Sequence, residues 1–212
     1  MFRVVTVERE YGAGGGGISK ALANRLGWKL WDHELTCDIA RRMKCDVKAV
    51  EQREEKLDPT YYRLVKYFMR GSYEDRTGSN LELLDAEHLA LMFENAVTDI
   101  ASHGNAVIVG RGGSWFLRNR QDAFHVFIYA SHDEKIRRLT GLGKTLLEAE
   151  ELVETVDRER AAFIKKYYGK NWPSRDLYDI MINSKIGDEA VIDTITSQME
   201  RVSTASHAPV GN

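Results

Sequence analysis

Three groups of residues in this chain have the types and spacing to handle a phosphate. The first is a glycine-rich stretch, Gly12, Ala13, Gly14, Gly15, Gly16, Gly17 and Ile18, in which five of six consecutive residues are Gly. Backbone N–H groups can approach an anion closely where side chains are absent, and a helix that begins there adds its partial positive charge. The second is Asp32, a carboxylate 20 residues after Gly12. The third is a set of arginines: Arg111, beside Gly110 and Gly112, and Arg158 and Arg160 late in the chain. Cations around a transferring phosphoryl group supply most of what that reaction needs from a protein. Read blandly, the Gly run is a flexible spacer and each Arg makes a structural salt bridge.

The elements around these residues decide between the readings. An apolar run from Phe2 to Val7 predicts a buried strand. Ile18, Ala21, Leu22 and Leu26 recur at helical spacing, and Gly27 is a good stop, so a helix should follow the Gly run. Trp28 to Trp31 alternates as a second strand that leaves Asp32 at its C-terminal end. Strand, Gly turn, helix and strand make a βαβ unit. Further strands are expected at Ala106–Val109, at Phe124–Tyr129 and at Tyr178–Asn183. Ser131 to Glu134 has the spacing of a capping box, a second helix should begin near Leu146, and Glu189 to Arg201 reads as a closing helix. The pattern implies a parallel sheet wrapped by helices on both faces, where ligands gather at strand C-termini. The Gly run, Asp32 and Gly110-Arg111 all fall there.

Between them lies a largely helical stretch, residues 33–103, with aromatics dense between Tyr61 and Phe68 and a longer helix from Leu81 toward Ala101. It could cover a substrate or form a homodimer face. Residues 203–212 are small and polar and read as a disordered tail. A net charge of -2 argues against a broad nucleic-acid surface, and there is no apolar run of membrane-spanning length. Cys37 and Cys45 have no His at metal-ligand spacing, so free thiols in a reducing cytoplasm are expected and a metal site is not. His88, His103 and His125 read as structural, and Lys165, Lys166 and Lys170 as a solvated basic face.

Two phosphate motifs compete for the Gly run. Gly12, Gly14 and Gly17 satisfy G-x-G-x-x-G, with Asp32 placed for a ribose hydroxyl, which is the dinucleotide fingerprint. Against it, Glu8 to Tyr11 intervene between strand and glycine, and a Gly run meets that pattern partly by composition. A nucleoside triphosphate loop fits the length but not the residues of GxxxxGK[ST]. If Gly14 is its last glycine, Gly15 stands at the lysine and Gly16 at the Ser or Thr. On the late helix Ala149, Leu152, Val153, Val156 and Phe163 mark an apolar stripe that includes Arg160, while Arg158 is turned about 200° from Val156 at 100° per residue. An inward Arg needs an anionic partner.

The order of motifs resembles the cytidylate kinase-like family of P-loop nucleoside monophosphate kinases, with a degenerate Walker A loop. The residues that carry the resemblance are Thr6 to Gly15, Leu26-Gly27 through Leu35, Val107 to Arg111, His125 to Ile128, Asp157 to Arg160, Tyr167 to Trp172 and Tyr178 to Asn183, over about residues 3 to 200. The resemblance implies an α/β three-layer P-loop NTPase fold in a single domain, residues 1–202, with a helical substrate-binding insertion at about 33–103 and a helical lid at about 141–176. It implies ATP on the Gly loop, a nucleoside monophosphate under the insertion, CMP by family precedent, and a lid that brings Arg158 and Arg160 onto the phosphates. Arg111 matches an Arg that contacts substrate in cytidylate kinases proper. The leading expectation is Mg²⁺-dependent phosphoryl transfer from ATP. Gly12 to Ile18 would hold the donor, Arg111, Arg158 and Arg160 would be catalytic, and Asp32 with Arg111 would meet the substrate. The alternatives are a non-catalytic nucleotide-binding module, motivated by the missing lysine, a kinase for another small acceptor, and the dinucleotide reading.

Overall fold

The computed structural model describes residues 1–32 and 86–205. Among them five strands form one parallel sheet: β1 (Val4–Arg9), β2 (Lys29–Trp31), β3 (Ala106–Val109), β4 (Ala123–Tyr129) and β5 (Ile180–Asn183), in the order β2-β3-β1-β4-β5. The connecting helices are α1 (Gly15–Leu26), α2 (Ala86–His103), α3 (Gly113–Phe116), α4 (His132–Gly141), α5 (Leu146–Tyr168) and α6 (Asp188–Ala205).

β1 is central. It pairs with β3 on one side and β4 on the other, and each of its six residues is buried. On one face Val5, Val7, Val126 and Ile128 meet Ile18 and Leu22 of α1 and Ile192 and Ile195 of α6. Each such aliphatic side chain, once buried, contributes about 1.5–3 kcal/mol. On the other face α2 packs against β3, and α3 against β1. Here Thr6 sits between Ser114 (2.8 Å) and His125 Nδ1 (2.7 Å), a buried polar chain inside an apolar layer. Burial holds the His125 imidazole below its usual pKa despite the nearby Asp179 carboxylate. His103, for its part, meets the Asp99 carbonyl at 2.8 Å near the end of α2.

The α/β architecture with a parallel sheet is as expected, and the details differ in instructive places. β1 runs two residues past Val7, because Glu8 and Arg9 keep their register with Phe127 and Ile128 of β4. That leaves two residues, Glu10 and Tyr11, between strand and first loop glycine. At α4 the expected capping box is half formed. Ser131 accepts from the Glu134 N–H, but the Glu134 carboxylate turns to Arg137 and Arg138. The reciprocal box belongs instead to α5, between Thr145 and Glu148. Gly27 stops α1 in the left-handed region, with the Trp28 N–H reaching back to the Ala23 carbonyl at 2.9 Å. α6 continues through Ala205, into the first residues expected to be tail. The expectations for Tyr61 to Phe68, for most of the helical insertion, for Cys37 and Cys45, and for the end of the tail lie outside the described residues. No helix among the described residues is long and apolar enough to cross a membrane.

Candidate active site

The Gly run begins α1 at the C-terminal end of β1. Gly12 and Gly14 have φ of 76° and 78°, a region closed to most side chains. Gly14 is the N-cap, makes no side-chain cap, and no acidic residue stands in the first turn. The opening N–H groups of α1 are therefore met by no side-chain acceptor of its own cap. Ala13, Gly15 and Ile18 are buried, Gly16 is half-buried and Gly17 is exposed. The loop is closely wrapped. A β-carbon at residue 12 would come 3.0 Å from Lys135 Cβ, and one at residue 14 would run into the Arg138 guanidinium.

Two further segments meet the loop at the same edge of the sheet. After β3, Gly110, Arg111 and Gly112 take φ of 66°, 59° and 72°, three left-handed residues in succession. Arg111 is buried. Asp32, just past β2, is also buried, and its Oδ1 lies 3.9 Å from Arg9 Nη2. The Arg9 side chain crosses from the end of β1 toward Asp32 and Gly110.

α5 reaches the loop from the other side. The Asp157 carboxylate accepts the Tyr11 backbone N–H through both oxygens, at 2.9 and 3.2 Å. Lys135 Nζ lies 3.4 Å from Asp157 and 2.8 Å from Glu10. Arg160 donates to Asp157 Oδ1 at 3.1 Å and to the Arg9 carbonyl, and its guanidinium lies 5.1 Å from the Trp172 ring. Burial raises the Asp157 pKa above the usual carboxylate range, against the opposing pull of Arg160, the Tyr11 amide and Lys135. Glu8 behaves alike. Burial raises it, while Arg9, Arg160 and Arg111 pull it down. Those three arginines, from three separate segments, lie near enough for their charge to bear on one carboxyl at the base of the loop. Glu8, Trp115, Trp172 and Tyr178 line a depression beside it.

Of the residues singled out by sequence, the structure brings together the Gly run, Asp32, Arg111 and Arg160. Arg158 is exposed on α5, on a different side from Arg160. Lys170 is exposed as expected of a solvated face, with its ammonium 5.2 Å from the Trp115 ring. Sequence reasoning gave no role to Arg9, Lys135, Arg138 or Asp157. The signal for Asp157 was present: it precedes Arg160 by three residues and so shares its helix face. Arg9 was signalled by a charged residue ending a buried strand. Lys135 and Arg138 could be found only from the docking of α4 under the loop. Among the described residues no cluster of His, Cys, Asp and Glu could hold a metal on its own.

With this arrangement in view, the sequence model of the cytidylate kinase-like family matches residues 4–186. The chain belongs to the cytidylate kinase-like family. A curated relative, a cytidylate kinase of Methanosarcina mazei, is 31% identical over 94 residues, which are 43% of this chain and 52% of that protein. The chain thus spans about half the length of that curated relative. An uncharacterized protein from Eubacterium ventriosum has a similar structure, with a TM-score of 0.67 at 20% identity, covering 95% of this chain and 99% of that one. A gluconokinase from Sinorhizobium meliloti superposes with a TM-score of 0.56 at 11% identity, over 96% and 97%. At these identities the likeness is one of fold, and the fold is the α/β P-loop NTPase fold.

Proposed function

We propose that this member of the cytidylate kinase-like family transfers the γ-phosphoryl group of ATP to a nucleoside monophosphate. The observation that carries the reading is a glycine loop that opens a helix without a side-chain cap, with the Arg9 guanidinium reaching Asp32 and Gly110 and Arg160 donating to the Arg9 carbonyl beside it. The amides of Gly12 and of Gly14 to Gly17 hold the donor phosphates, which also gain from the α1 N-terminus, while the Ala13 and Ile18 N–H groups are taken by the Glu10 and Gly14 carbonyls. Arg111 and Arg160 neutralise charge on the transferring group, and Asp32 orients the acceptor side. Arg158, exposed on another side of α5 from Arg160, stands outside this arrangement.

Magnesium fits this donor set in a particular way. Asp32 Oδ1 is buried without a hydrogen bond, a suitable partner for a hydrated cation, whereas Gly16 offers no hydroxyl. The ion would take most of its ligands from phosphate and water, with Asp32 beside it, and would supply charge neutralisation on the phosphates.

The test is to mix the folded chain with ATP, Mg²⁺ and single nucleoside monophosphates and to measure ADP. Formation that depends on CMP or a close analogue, and that falls by about 10² or more in Arg160→Ala, supports the reading. Folded protein that gives no ADP with any monophosphate overturns it. A second reading is favoured by the glycines at 15 and 16: a nucleotide-binding module without transfer. It predicts ATP binding by calorimetry and no ADP with any acceptor. Gluconate and similar small hydroxyl compounds belong in the same screen, to test transfer to a different acceptor class.

A further inference from the structure

In the spacing GxxxxGK[ST], with Gly14 as the last glycine, the first glycine falls at position 9 and the lysine at position 15. This chain has Arg9 and Gly15 there. The two departures are an exchange: a cation stands where a glycine belongs, and a glycine where the cation belongs. The structure shows that they are coupled. A β-carbon at residue 15 would lie 2.6 Å from Arg9 Cβ and 2.7 Å from Arg9 Cγ, closer than such carbons can approach. The Arg9 stem occupies the space that any side chain at position 15 would enter. Gly15 is not at a positive φ, so the backbone itself does not demand glycine here. The demand comes from Arg9.

We propose that Arg9 is the phosphate-binding cation of this loop, relocated from position 15, and that Gly15 is glycine to make room for it. The base of its side chain is fixed by the backbone. The Arg9 backbone stays in register with Ile128, and its carbonyl accepts a hydrogen bond from Arg160. From that base the side chain crosses the start of α1 and brings its guanidinium to Gly110 and to Asp32, 3.9 Å away. This is the strip between the glycine loop and the end of β3, where donor and acceptor phosphates would meet. A guanidinium can hold two phosphate oxygens at once, in a planar geometry that lysine lacks. Asp32, buried beside it, keeps the cation in the strip until a phosphate competes for it. The inference rests on the triphosphate reading of the loop and does not require that transfer occur.

The test combines a steric exchange with a charge exchange, read by thermal melting and by calorimetry with ATP and Mg²⁺, never by ADP formation. Gly15→Ala should lower the melting temperature in the wild-type background and be tolerated beside Arg9→Gly. Arg9→Met keeps the stem and removes the charge. It should weaken ATP by about tenfold or more while Gly15→Ala remains unfavourable beside it. The double change Arg9→Gly with Gly15→Lys should recover affinity to within a few-fold of wild type, whereas Gly15→Lys alone should lower the melting temperature without tightening ATP. Unchanged ATP affinity in folded Arg9→Met overturns the proposal, as does a wild type that binds no ATP. Gly15→Ala tolerated equally with and without the Arg9 side chain also overturns it. ATP binding that follows this pattern in a protein making no ADP would remove the transfer reading and leave this one standing.

Discussion

The two helices that frame the site begin in opposite ways. α1 opens on Gly14, Gly15 and Gly16, with no side-chain cap and no acid in its first turn. α5 opens on Thr145, whose hydroxyl accepts the Glu148 N–H at 3.2 Å while the Glu148 carboxylate accepts the Thr145 N–H at 2.8 Å. One terminus carries no side-chain cap and the other has closed its donors off. Both carry the same dipole, so the difference is set by side chains alone. A sealed terminus stabilises its own helix and can do nothing else. The open terminus is, in the proposed reading, the one that meets a phosphate.

The largest effect should come from charging the open end. Gly16→Glu places a carboxylate in the first turn of α1, where it competes with phosphate; ATP affinity should fall by about tenfold or more, measured by calorimetry. The fold should gain stability at the same time, by up to about 1 kcal/mol from replacing a helical glycine and about 0.3–1 kcal/mol from the dipole. Gly16→Arg should keep the propensity gain, lose the dipole gain and bind ATP more tightly. If both variants bind ATP as the wild type does, the open end is not the donor site and the contrast with α5 has no functional meaning.

Unsealing α5 should have a smaller and purely structural effect. Thr145→Ala should cost about 1 kcal/mol, seen as a lower melting temperature, with ATP affinity at the loop little changed. The smallest effect is on pH dependence. The hydrogen bond from the Thr145 backbone, and then its hydroxyl, hold the Glu148 pKa below its ordinary value of 4.5. A depressed carboxyl contributes stability that is fully present above 4.5 and is lost as pH falls through the folded value. Melts of wild type and Glu148→Gln from neutral pH downward should therefore converge as the medium becomes more acidic than that. A difference that stays constant through that window would mean that the seal does not depend on the charge of Glu148.

The sequence disclosed the fold well because its signals are local. The run Ala106–Val109 is apolar throughout and became β3 without revision, and Gly27 ends α1 as a left-handed stop. The glycine loop and the half-buried Arg160 were also legible, the one from composition and the other from helical phase. What could not be read was contact between distant segments. Nothing in the neighbourhood of Lys135 says that it will bridge Glu10 and Asp157. Helical phase separated Arg158 from Arg160, yet proximity in sequence grouped them as one functional pair. Ser131 and Glu134 had the spacing of a reciprocal cap, but the Arg137 and Arg138 guanidinium groups offered Glu134 a stronger partner than an amide. At Gly15 the missing lysine was conspicuous in sequence; its explanation, the stem of Arg9, required coordinates.

The backbone at Gly110, Arg111 and Gly112 carries one further meaning. Left-handed geometry suits the two glycines and strains the arginine between them by roughly 1–2 kcal/mol. A third glycine would relax the turn. Keeping arginine there exchanges resilience of the turn for a cation at the end of β3. Position 111 is therefore a place where, under the phosphate-binding role proposed for Arg111, selection for a more heat-resistant protein and selection for tighter phosphate binding would pull in opposite directions.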